Sequence, residues 1–295
     1  MSRVVRIALA SVGVGIVVLT LKIFAWWVTG SAALFSDAAE SVVNVVASLV
    51  AVAALRLADK PADANHPYGH DKAEFFSAVV EGVLIVLAAI VILHHAWFAW
   101  RIPSPIQAPL EGVAVNAGAS VINLIWAVVL LRAGRRWRSP ALLADGRHIA
   151  ADVVSSTGVV LGVVVVALTG LYWIDALIAA AVAVYVLISG MAVIGGSVSG
   201  LMDGAPDAMV LQRIRDVVSQ HAEGALEAHD LRTRRAGRQT FLQFHLVVPG
   251  EMTVAQAHTI CDRVEHALES EMEGMQVSIH VEPPHKAKHH GVVVV

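Results

Sequence analysis

Two pairs of polar side chains, each set four positions apart, interrupt otherwise apolar sequence and require a chemical reason. His148 and Asp152 form one pair, and 108 residues earlier Glu40 and Asn44 repeat the interval. An aspartate stands three positions before each pair, Asp145 and Asp37 respectively. On a helix, residues i and i+4 lie one above the other, so each pair offers two donor atoms from one wall. Carboxylate, amide and imidazole donors of this kind hold divalent cations. Two such walls facing each other make a four-donor site, in which Glu40 and Asp152 supply the two negative charges that balance one ion.

The elements that must position these residues are membrane helices. The chain is 57% apolar and only 15% charged, with a mean hydropathy of +0.68, whereas soluble proteins carry about 25% charged residues. Apolar runs long enough to cross a bilayer fall at 7–28, 32–57, 73–98, 110–131, 141–168 and 171–198. The first begins after Arg3 and Arg6 but is too long for a signal peptide, so a retained span is expected. Glu40 and Asn44 lie on the second run, His148 and Asp152 on the fifth, and these two run in opposite directions. Asn44 is about 12 residues into its span and Asp152 about 11, so at 1.5 Å per residue both reach the middle of the bilayer. An ionisable group there costs roughly 2.5 to 3.5 kcal/mol on insertion scales, and a bound cation supplies the compensation. Asp37 and Asp145 are expected to support the ligands or face the lumen. Lys22, near the end of the first span, is expected to snorkel outward.

Arg3, Arg6, Arg56, Lys60, Lys72, Arg132, Arg135, Arg136 and Arg138 fall on one side of the membrane and Arg101 on the other. Both termini are therefore expected in the cytoplasm. The connection after the second span holds Asp63, His66 and His70, three donors that can converge on Zn²⁺. Beyond Gly200 the long apolar runs stop. Helical periodicity at 208–221 and 254–270 and strand patterns at 225–234, 239–248 and 276–282 predict an αββαβ order, a small α+β domain. The expected organisation is a transmembrane domain of six helices over 1–202, a cytoplasmic α+β domain over 203–284 and a disordered tail over 285–295. His280 and Glu282 share a strand face, and adjacent strands can bring them to His229 and His245, while His258 lies on the second helix. The net charge of −3 argues against nucleic acid as a partner, and the lone Cys261 excludes an internal disulfide.

At these residues the chain resembles the cation diffusion facilitator family. The resemblance is carried by Lys22, Phe24, Trp26 and Trp27; by Pro61, Asp63, Asn65, His66, Gly69 and His70; by Lys72, Ala73 and Glu74; by His229, Asp230, Leu231, Arg232 and Arg234; and by Gln256, His258, Ile279 and His280. It implies a homodimer with six spans per protomer and a metallochaperone-like cytoplasmic domain. It places a transport site on Glu40, Asn44, His148 and Asp152, a loop site on Asp63, His66 and His70, and a binuclear cytoplasmic site on His229, His245, His258, His280 and Glu282. It also implies an ion pair between Lys72 and Asp203 on which the domains pivot. Zinc and iron members of this type carry two aspartates on the second span, where this chain has Glu40 and Asn44. His148 points to Zn²⁺, since manganese members tend to have a carboxylate there, but three oxygen donors form a harder set that also admits Mn²⁺, Fe²⁺ or Cd²⁺. The implied activity is efflux of a divalent metal across the inner membrane by proton antiport, with no enzyme activity and no cofactor beyond the ions. His148, with an ordinary pKa of about 6.5, is the expected coupling group. Two rivals are an intramembrane metalloprotease, which lacks its His-Glu-x-x-His helix here, and a membrane-anchored metal sensor.

Overall fold

A computed structural model describes residues 3–29, 32–102, 109–171, 173–272, 274–288 and 292–293. In hydrocarbon the main chain must satisfy its own hydrogen bonds, and the six apolar runs are accordingly helices: α1 (Arg3–Thr29), α2 (Ala32–Ala58), α3 (Ala73–Arg101), α4 (Pro109–Arg136), α5 (Pro140–Thr169) and α6 (Trp173–Leu201). Of the connections expected from the sequence, residues 30–31 and 103–108 lie outside the described residues. The ends of α5 follow from local chemistry. Ser139 accepts the Leu142 N–H at 3.3 Å and Pro140 opens the first turn, where its missing N–H is harmless. Gly170 closes the helix at φ +70°, its N–H donating to the Val166 carbonyl at 2.8 Å.

The chain divides into two compact units, Met1–Val198 and Ser199–Val295. In the first, α1 packs on α2 and α4, α4 on α5, α2 on α3 and α5, and α3 on α5. One end of this interior is apolar, filled by Val5, Leu55, Leu130, Leu142 and Ile149. Farther in it is polar: Ser11 and Lys22 of α1, Asp37, Glu40, Asn44 and Ser48 of α2, Asn116 and Asn123 of α4, and Asp145, His148, Asp152, Ser155 and Ser156 of α5 are all buried. The outer surface keeps Trp27, Leu87, Ile125, Leu161 and Ile188 exposed, the pattern that lipid covers. α3 and α6 meet through glycine: a Cβ on Gly82 would lie 3.2 Å from the Gly190 carbonyl oxygen, and one on Gly190 3.2 Å from that of Gly82. Small residues permit such close backbone approach in membranes.

The second unit has the predicted order, α7 (Ala208–His221), β1 (Glu227–Ala236), β2 (Gln239–Val247), α8 (Val254–Glu271) and β3 (Met275–Glu282). β1 and β2 are antiparallel, β2 and β3 parallel, and with β4 (Val292–Val293) the sheet order is β3-β2-β1-β4. Its core joins Ile214 and Val217 of α7, Leu242, Phe244 and Leu246 of β2, and Val264 and Leu268 of α8. A capping box between Thr253 and Gln256 starts α8. The tail expected to be disordered carries structure where it is described. A 3₁₀ turn spans Pro284–Lys286, Lys288 bonds Asp230 at 2.6 Å, and β4 (Val292–Val293) pairs with β1. Residues 289–291 and 294–295 lie outside the described residues.

Candidate metal sites

α2 and α5 present their polar faces to each other as the four-residue spacing requires. Carboxylate oxygens of Asp37, Glu40 and Asp152 lie within 4.8 Å of one another. Asp37, expected only as a supporting or lumen-facing group, is therefore a member of the cluster. Glu40 accepts a bond from Ser155 Oγ at 3.2 Å, and Asp152 Oδ2 accepts from Asn123 Nδ2 of α4 at 2.6 Å. His148 and Asn44 are buried as well, but His148 is not among the residues whose ligand atoms converge within 4.8 Å. Among the described residues, Glu40 Oε1, Asn44 Oδ1 and both ring nitrogens of His148 have no hydrogen-bond partner. Burying one such atom unpaired costs roughly 1 to 3 kcal/mol, and Asp37 Oδ2 and both Glu81 oxygens are unpaired and buried too.

Lys22 corrects the sequence reading. Instead of snorkelling it is 1% exposed, and its ammonium donates to both oxygens of Asp152 at 2.9 Å, to Asp37 Oδ1 at 3.0 Å and to Ser156 Oγ at 3.0 Å. Ser156 in turn donates to Asp37 Oδ1 at 2.7 Å. Asp145, by contrast, makes bonds away from this cluster: its two oxygens accept from Ser11 of α1 at 2.7 Å and Ser48 of α2 at 3.1 Å, and Trp126 Nε1 of α4 donates to Ser11 Oγ at 3.0 Å.

In the loop, Asp63 Oδ1 accepts the N–H groups of Asn65 at 2.9 Å and His66 at 2.7 Å, which folds the segment back on itself as an Asx turn. The main-chain N–H of His66, first among several donors, holds the Asp63 carboxyl below its ordinary range. His66 Nδ1 lies 3.3 Å and His70 Nε2 3.5 Å from Asp63 oxygens. The three expected loop residues are thus together.

On the sheet, strand register does the gathering. His229 of β1 stands opposite His245 of β2, which stands opposite His280 of β3. Glu282, two positions beyond His280, reaches back into this row: its oxygens lie 3.1 Å from His245 Nδ1, 3.3 Å from His229 Nε2 and 3.9 Å from His280 Nε2. Glu227, which sequence reasoning missed, is 3.3 Å from the other nitrogen of His229. Its position two residues before His229 on one strand was the available signal. His258 is not brought to this row within one protomer. It is exposed on α8, 3.0 Å from Asp262, and a bond to its own main chain together with that carboxylate raises its pKa. Lys72 stands at the start of α3 and Asp203 follows α6 at φ +61°; they belong to different compact units.

Comparison with known proteins shows the family. Residues 8–202 match the cation efflux transmembrane domain, and residues 206–284 match the cytoplasmic domain of cation efflux proteins. The transporter sll1263 of Synechocystis sp. is 40% identical over 94% of this chain and 89% of its own. The cation-efflux pump FieF of Cronobacter sakazakii is 35% identical over 94% of this chain and 92% of its own, and that of Yersinia pestis is 34% identical over 94% and 91%. A solved chain of CzrB in its zinc form is 46% identical over 29% of this chain and 98% of its own, with a TM-score of 0.28.

Proposed function

The chain belongs to the cation efflux family, and we propose that it carries divalent metal ions, Zn²⁺ first, out of the cytoplasm in exchange for protons. The observation that supports this most is the unbonded donor set of Glu40 Oε1, Asn44 Oδ1 and the two His148 nitrogens beside Asp152, buried on two membrane-spanning helices. The imidazole favours Zn²⁺, while the three oxygen ligands widen the choice to Mn²⁺, Fe²⁺ and Cd²⁺. His148 exchanges the ion for a proton when the site faces outward.

On this reading the protein is a homodimer in the inner membrane with both termini cytoplasmic, as the Lys and Arg distribution favours. Asp63, His66 and His70 form an accessory loop site. His229, His245, His280 and Glu282 bind ions in the cytoplasm, with His258 as a further ligand that one protomer alone does not supply. Lys72 and Asp203 pair as a pivot. A membrane-anchored sensor would need the soluble cluster but not the buried donors.

The test is ion uptake into inside-out proteoliposomes under a proton gradient, comparing Zn²⁺, Fe²⁺, Mn²⁺ and Cd²⁺. Wild type is expected to move Zn²⁺ and dissipate the gradient. Asn44→Asp adds a third carboxylate to the four donors and is expected to lower the KM for Zn²⁺ and Mn²⁺ alike about tenfold, since attraction in a low-dielectric site rises for any divalent ion. Absence of any metal-dependent proton movement would defeat the antiport reading.

A further inference from the structure

Lys22 is among the largest fully buried side chains in the molecule, and all of its bonds go to the residues around the proposed transport site. Both oxygens of Asp152, a proposed ligand, are taken by its ammonium at 2.9 Å. The neighbouring ligand atoms Glu40 Oε1 and Asn44 Oδ1 and the His148 ring are not bonded. An ion that coordinates Asp152 therefore has to displace the ammonium from that carboxylate. The ammonium has somewhere to stay: Asp37 Oδ1 and Ser156 Oγ hold it at 3.0 Å each, and Ser156 also bonds Asp37.

The charges match this exchange. Three carboxylates, Asp37, Glu40 and Asp152, gather within 4.8 Å, and counted as ions with one ammonium they leave an excess of two negative charges. One divalent cation cancels that excess. A monovalent cation leaves one charge uncompensated in a medium where charges interact far more strongly than in water. Asp37, which is outside the four-donor set, contributes the charge that keeps Lys22 neutralised after it leaves Asp152.

Resting on the transport reading above, we infer that Lys22, paired with Asp37, sets the charge that the site demands of its cargo. The ammonium competes with the ion for Asp152 and withdraws onto Asp37 when a divalent ion binds. Lys22 is a positioning and specificity residue and is not itself a ligand.

The experiment measures the KM and maximal rate of Zn²⁺ uptake in proteoliposomes for wild type, Lys22→Met, Asp37→Asn and the double variant. Lys22→Met removes the competitor and is expected to lower KM about tenfold while slowing turnover, because release becomes difficult. Asp37→Asn leaves the ammonium no bonded carboxylate but Asp152 and is expected to raise KM about tenfold. The double variant restores the charge excess of two, and its KM is expected within about threefold of wild type. A merely structural ion pair would lower the maximal rate and the yield of assembled protein in both single variants without opposite KM shifts. Singles that shift KM in the same direction, or not at all, overturn the inference while leaving transport intact. A wild type that moves no divalent ion overturns the transport reading together with this one. Should Lys22→Met fail to assemble, Asp37→Asn and the double variant decide the matter: a raised KM that the second substitution does not reverse counts against the inference.

Discussion

In the bundle, the donors stand four positions apart on two helices, are fully buried, and are dominated by oxygen; on the sheet they stand in one row across three strands, are dominated by imidazole, and are partly open to water. His229 is 3% exposed but His245 and His280 are 37% and 70% exposed by side chain. The two regions also differ in what compensates their charge. A tethered ammonium neutralises part of the bundle cluster, whereas Glu282 sits among three histidines with no Lys or Arg contact among the described ion pairs. On the function proposed above, the first set suits exchange, since a cation is already engaged there and must be traded, and the second suits retention by softer nitrogen donors.

The largest effect that can break this comparison is expected from Asp152→Asn. Zn²⁺ transport should fall at least about 100-fold, the scale expected when a ligand rather than a supporting group is lost. Zn²⁺ binding by the sheet cluster, read in full-length protein by competition with a chromogenic chelator, should persist. Loss of both together would mean that the two regions are not separate sites. A smaller effect sharpens the sheet side: Glu227→Gln should weaken that cluster's Zn²⁺ affinity about tenfold, because the carboxylate that orients His229 is gone, with little change in transport KM.

The smallest concerns the loop. The Asp63 carboxyl is depressed in the folded protein, so the protection it gives the turn is present above the ordinary value of about 3.9 and is lost as pH falls through the lower folded value. Amide exchange over residues 63–70, corrected for intrinsic rates, should show unchanged protection from pH 7 to 5 and a decline below pH 4. Asp63→Asn should lack that step.

Much of this was legible in the chain. Span length marked the six helices, and the four-residue interval marked the facing walls, because both are consequences of helix geometry that every residue obeys. The alternating pattern gave the αββαβ order and put His280 and Glu282 on one face. The direction of Lys22 was not legible: α1 is apolar nearly all round, so nothing in its periodicity tells which face turns inward. The partner through which Asp37 supports the cluster was not legible for a related reason, since Lys22 lies on that same unmarked face. Glu227 was readable from its two-residue offset to His229 but had no motif to draw attention to it. His258 was placed by resemblance, and within a protomer its helix turns it toward solvent.

One carboxylate, Asp145, holds together four helices: it accepts from Ser11 of α1 and Ser48 of α2, Ser11 receives Trp126 of α4, and Asp145 itself belongs to α5. It stands seven positions from Asp152, about 10 Å along the helix. Breaking that knot in a dry interior would strand several polar atoms at once. On the proposed transport reading, a swing of these helices about one another would have its fulcrum at Asp145, two turns from Asp152.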